Sequence, residues 1–142
     1  MRALLDVNVL IALLDEDHVH HLVASQWLSA HIAAGWASCP ITQNGCARIL
    51  SQSGYPNPLP APQVIERLAE AAGTAHHAFW PDDISLLDGK RLHADRVLGP
   101  KQVTDAYLLA LAVAHKGRFV SFDRGIALAA VPGAKPQHLV VL

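Results

Sequence analysis

Positive charge in excess is the first thing this sequence lacks. Its 142 residues carry 11 Lys and Arg against 12 Asp and Glu, a formal net charge of −1. A general nucleic-acid binder displays a basic balance. Any contact with nucleic acid must therefore come from a local basic patch, a bound metal or a partner. Cysteine is also scarce. The two, Cys39 and Cys46, have no CxxC spacing and make no disulfide framework, so they read as small buried hydrophobes. No run approaches the roughly 18 apolar residues of a membrane helix. Asp6 and Asn8 interrupt the apolar N-terminus and no small-residue cleavage site follows, so a signal peptide is not expected and a cytoplasmic location is. Repeats and low-complexity tracts are missing too. What remains is 51% hydrophobic and only 16% charged. That composition supplies the core of one domain spanning residues 1–142.

Strand and helix signals alternate along the chain. "RALL" is a short apolar run ending at Asp6 and reads as a buried strand. Asn8 is placed to cap a helix through Leu14. "HHLVASQWLSAHIAAG" spaces Leu22, Val23, Trp27, Leu28 and Ile32 at helical intervals and stops at Gly35. "WASCP" predicts a second strand, and "ITQNGCARILSQSG" a helix from Thr42 to Gly54. "YPNPLPAP" is a loop. "APQVIERLAEAAG" is an amphipathic helix, "HHAFWPDD" a strand and turn, and "DISLLDGKRL" a short helix. "LGPKQVTDAYLLALAVAHKG" reads as a helix with Pro100 near its start and Gly117 past its end. It is apolar on nearly every side from Ala106 to Ala114, which predicts deep burial. "RFVSF" and "HLVVL" are the last strands. This alternation predicts a single α/β domain, a three-layer α/β/α sandwich on a mostly parallel sheet. Sites in such sheets lie outside the carboxyl ends of the strands.

Three acids sit badly in so apolar a chain. Asp6 ends the first strand and Asp123 ends "RFVSF". Asp105 lies in the first turns of the most apolar helix, where the helix dipole favours an anion. Far apart in sequence, all three fall on the same inferred edge. Clustered carboxylates repel, and one stays protonated unless a cation intervenes. Hard oxygen donors at an open edge suit Mg²⁺ or Mn²⁺. Each Asp taken alone reads equally well as a turn or helix-cap residue.

"LLDVNVLIAL", "CPITQNGCARIL", "TDAYLLALA" and "FVSFDRG", in this order, resemble the PIN-domain ribonuclease toxins of VapC type. "FWPDDISLLD" also resembles the central segment of one subgroup. The resemblance implies a PIN-like sandwich and a divalent-metal-dependent endoribonuclease, the toxin of a type II toxin–antitoxin pair. It implies a cognate antitoxin and an RNA substrate as partners and a homodimer in solution. By resemblance, Asp6, Asp105 and Asp123 fall on the catalytic metal-binding acids, and Asn8 on the polar position that supports the first. One position departs: the family pattern T-E-x-G is "TQNG" here, so Gln43 stands in for a glutamate. An amide oxygen can still coordinate, but it has no charge and cannot act as a base. That predicts weaker metal binding. It also keeps open a weakened module that acts mainly by binding RNA or antitoxin.

Arg48 on the Gln43 helix and Arg124 beside Asp123 are candidate RNA contacts. Lys90, Arg91, Arg96 and Lys101 form a loose basic stretch that reads as an RNA backbone track or as solvated surface. The histidines of "HVHH" (His18, His20, His21) and "HH" (His76, His77) invite a zinc reading. With no CxxC or HExxH context, surface or cap roles are favoured. Trp27, Trp36 and Trp80 follow apolar periodicity, which marks core or interface anchors. Tyr55 is the aromatic held open for a partner. A haloacid-dehalogenase phosphatase needs an Asp at position 8. A receiver domain needs adjacent acids after the first strand and a late lysine. Neither pattern is present.

Overall fold

In the computed structural model, which describes residues 1–142, strand and helix alternate as the periodicity predicts. The order is β1 (Ala3–Leu5), α1 (Val7–Leu14), α2 (His21–His31), β2 (Trp36–Ser38), α3 (Pro40–Leu50), α4 (Ala61–Ala72), β3 (His77–Phe79), α5 (Val103–Ala114), β4 (Arg118–Ser121) and β5 (Leu139–Val141). The five strands make one parallel sheet in the order β3-β2-β1-β4-β5. From β1 the chain winds outward to β2 and β3, then returns across to β4. The direction of winding therefore reverses between β1 and β4, where ligand crevices form in open parallel sheets.

Strand side chains alternate between two cores. Leu4, Ala37 and Phe119 face the layer that contains α5. Ala3, Leu5, Trp36 and Val120 face the layer built from the helices between β1 and β3. Leu4, Leu5, Leu108, Leu109, Leu111 and Phe119 are fully buried, each worth about 1.5–3 kcal/mol relative to exposure. As the unbroken apolar pattern predicts, α5 is buried continuously from Ala106 to Ala112. Gly117 leads it into β4 where no side chain fits. A Cβ there would come within 2.6 Å of both the Arg2 carbonyl oxygen and the Trp80 ring. Gly35 ends the α2 region at φ 81° and ψ 163°, a positive-φ extended conformation that glycine adopts without a steric penalty.

Some boundaries differ from the sequence reading. Helix α3 starts at Pro40 rather than Thr42, because proline fits the first helical position, and it ends at Leu50 rather than Gly54. "DISLLDGKRL" forms turns, not a helix. Ser85 Oγ accepts from the Leu87 N–H and Asp88 Oδ1 from the Lys90 N–H. Such local side-chain bonds compete with helix formation. Leu22 and Val23 in α2 are 65% and 45% exposed, so their helical spacing does not mark the core face. No helix is long and apolar enough to cross a membrane.

Candidate active site

Asp6 is the first residue beyond β1 and is only 6% exposed. It is the N-cap of α1, the role the sequence reading gave to Asn8, and its Oδ1 accepts from the Val7 N–H at 2.7 Å. Its Oδ2 accepts from the Ser121 hydroxyl at 2.6 Å. Burial pushes its carboxyl above the usual range, against the pull of those two bonds, and the charge of Asp123 adds to the push.

Ser121 ends β4 and is fully buried. Its one proton goes to Asp6. Its oxygen accepts from Asn8 Nδ2 at 3.2 Å and from the Asp123 N–H at 3.0 Å. A hydroxyl has one donor and two acceptor sites, so this one is used in full. Asn8 Oδ1 accepts from the Phe122 N–H at 3.3 Å. Asn8 thus braces α1 against the turn that carries Asp123. Gly125 donates its N–H to Asp123 Oδ1 at 2.7 Å.

Asp105 reaches the same place from the opposite layer. It hydrogen-bonds Asp123. Burial first, then that bond, then the charges of Asp6 and Asp123 push its carboxyl up to about 7. Asp123 moves the other way, held down by the Gly125 N–H and by Asp105. Below about pH 7 the pair therefore shares a proton that resides largely on Asp105. No basic side chain neutralises this cluster, since the ion pairs are Arg96–Asp95 and His115–Asp83.

The donor chemistry fits a hard divalent cation: three carboxylates, one protonated for want of a counter-charge. They do not stand as an open three-carboxylate cage. Asp6 is held by Ser121, while Asp105 and Asp123 bond each other. A cation would take the place of the shared proton.

The tertiary structure thus brings Asp6, Asn8, Asp105 and Asp123 together. Gln43 makes no hydrogen bond to them, and its Nε2 donates to Ser38 Oγ at 2.9 Å. Arg48 and Arg124 are exposed. Of the basic stretch, Arg96 lies 3.7 Å from Asp95, and Lys90, Arg91 and Lys101 are exposed. His18 and His21 do not share a helix, because α2 begins at His21. His18 Nδ1 accepts from the His20 N–H, and the His21 ring bonds the Ala12 carbonyl. Trp36 and Trp80 are core residues, while Trp27 is half-buried and stacks on His31. The hydroxyl of Tyr55 is already engaged, donating to the Asp15 carboxylate. Cys39 and Cys46 are free and buried. Sequence reasoning missed Ser121, although a lone hydroxyl in the apolar strand "RFVSF", two residues before the acid, was its available signal.

Comparison with known proteins points the same way. The PIN domain family matches residues 3–132. Ribonuclease VapC44 of Mycobacterium tuberculosis (strain ATCC 25618 / H37Rv) is 59% identical over 142 residues, covering 100% of both chains. Ribonuclease VapC39 of the same strain is 43% identical, covering 94% of this chain and 96% of its own. The crystal structure of Mycobacterium tuberculosis VapC20, a sarcin-ricin loop cleaving toxin, superposes with a TM-score of 0.62 at 13% identity. It covers 94% of this chain and 99% of that one, and it supports the fold. With its acids at the β1–β4 edge and its match over nearly all of its length, the chain belongs to the PIN-domain family, among proteins of VapC type.

Proposed function

We propose that this protein is a divalent-metal-dependent endoribonuclease, the toxin of a type II toxin–antitoxin pair. The supporting observation is the meeting of Asp6, Asp105 and Asp123 at one sheet edge with no cationic side chain to neutralise them. The ribonuclease relatives add to it. Asp105 and Asp123 hold the cation together with Asp6, and Asp105 gives up its proton on loading. Ser121 and Asn8 fix the angle at which Asp6 faces the site, as partners behind a metal ligand commonly do. Mg²⁺, or Mn²⁺ in its place, supplies charge neutralisation at the phosphodiester and a water of lowered pKa. Arg124, next to Asp123, and Arg48 on α3 bind the phosphates on either side. The protein acts in the cytoplasm as a homodimer and is held inactive by its antitoxin.

The test is cleavage of a structured RNA by the purified chain with Mg²⁺, with Mn²⁺ and with EDTA, beside Asp6→Ala. Cutting is expected only with a divalent ion and with Asp6 intact. Cleavage in EDTA that survives Asp6→Ala overturns the reading. A second reading has its own observation: Gln43 is neutral and its amide is spent on Ser38. On that reading the site binds metal weakly, and the chain acts mainly by holding RNA or antitoxin. Restoration of cutting by Gln43→Glu, where the present chain cuts poorly, would favour it.

A further inference from the structure

A cleft of about 560 Å³ opens between α3 and α4, on the β2 side of the acids. Its size falls in the ~300–1,000 Å³ range of small-ligand pockets. Trp36 and Ser38 form its floor, Leu68 and Ala69 a wall, and Gln43 and Asn44 its polar rim. Leu4 pairs with Ala37, so Ser38 lies level with Leu5, one residue before Asp6. The cleft and the acids therefore share one edge of the sheet.

The hydrogen bonds around Ser38 fix what the rim offers. His77 Nε2 lies 2.8 Å from Ser38 Oγ, and Gln43 Nε2 lies 2.9 Å from the same oxygen. The amide nitrogen of Gln43 can only donate, which leaves the Ser38 proton for His77 Nε2 as acceptor. The oxygen of Ser38 then accepts from Gln43 Nε2 at 2.9 Å. This chain uses the nitrogen of Gln43 and leaves its carbonyl oxygen without a partner. Neither amide atom of Asn44 has a partner within the fold, and Asn44 is exposed. The rim thus presents two carbonyl acceptors and one amide donor above apolar walls.

Single-stranded RNA is read by splaying a base out, covering its faces with apolar groups and hydrogen-bonding its edge. We infer that this cleft receives one unstacked RNA base next to the scissile phosphate, and that Gln43 and Asn44 favour a base whose Watson–Crick edge sets an exocyclic amine beside a ring-nitrogen acceptor, adenine or cytosine, over uracil. The inference rests on the ribonuclease reading for its substrate class. An amine beside a ring-nitrogen acceptor complements a carboxamide edge with an extra carbonyl beside it. Uracil would set a carbonyl against that carbonyl.

The test is an NMR titration of the metal-free protein with AMP, CMP and UMP, which needs no catalysis. Expected are shifts confined to α3, α4 and β2, with AMP and CMP binding about fivefold or more tighter than UMP. Asn44→Ala, an exposed helix position, should erase that preference. Ala69→Phe should weaken all three nucleotides about tenfold by filling the cleft. Equal binding of the three, shifts that map away from the cleft, or indifference to both variants overturns the inference. So does a cleft whose variants lose a protein partner yet bind nucleotides unchanged. Specific nucleotide binding without RNA cleavage would leave the cleft assignment standing and defeat the ribonuclease reading alone.

Discussion

Two serines close two strands at the same sheet edge, and their surroundings differ in one respect. Ser121, at the end of β4, donates to a carboxylate and stands among three acids. Ser38, at the end of β2, stands between an amide and an imidazole and meets no charge. Both hydroxyls are buried. Around Ser121 the polar network ends in uncompensated negative charge, which a cation can relieve. Around Ser38 the network is neutral and leaves only the Gln43 carbonyl oxygen without a partner. A network with charge left over is suited to hold an ion, whereas a neutral one mainly orients the groups around it.

The strongest way to break this contrast is to remove charge from the first network. Asp105→Asn should lower metal-dependent RNA cleavage by about a hundredfold or more. In the metal-free protein at pH 8 the same change should raise the melting temperature, because it replaces an acid whose ionisation the fold resists. Ser121→Ala comes next. It leaves all three acids in place but frees Asp6, and should cost about 10–100-fold in metal affinity, read by titration calorimetry. A third test is pH. The Asp105 carboxyl is pushed up to about 7 in the folded chain from an ordinary value of 3.8. Between those pH values the folded state binds the extra proton, so metal-free stability should fall as pH rises from ~4 to ~7 and level off above. Denaturant melts across that window check it, and saturating Mg²⁺ should flatten the fall. Burial lowers the pKa of the His77 ring, which works the other way in this window, so the fall is read as the difference between the parent chain and Asp105→Asn; no difference would show that the acids are not crowded.

Smaller effects sharpen the other side. Gln43→Glu places a carboxylate at the neutral end and should tighten metal binding several-fold, with the introduced carboxylate expected to leave Ser38 for the cation. Ser38→Ala leaves the three acids and their partners in place and should keep metal affinity within about twofold. It should cost about 1–2 kcal/mol of stability, measured by urea unfolding, because His77 and Gln43 lose a buried partner.

Much of the architecture is legible in the sequence because apolar periodicity is a local property. The short runs at "RALL", "RFVSF" and "HLVVL" and the unbroken apolar face of α5 each become the element they predict. "DISLLDGKRL" misleads because its leucines suggest a helix while Ser85 and Asp88 bond their own backbone instead. The acids are legible as residues that do not suit a core. Ser121 and Ser38 are not, because a serine in a strand gains meaning only from what the neighbouring strand ends with.

The sequence by itself determined the order of strands and helices, the apolar stripes that bury them, and the placing of aspartates at strand and helix ends. Only the tertiary structure decided that residues 6, 105 and 123 share a proton-crowded corner, and that Gln43 hydrogen-bonds Ser38. The reason is the winding of the sheet. Crossing from β3 back to β4 sets strands distant in sequence side by side. No local pattern of residues records which hydrogen-bond partner a side chain then finds there.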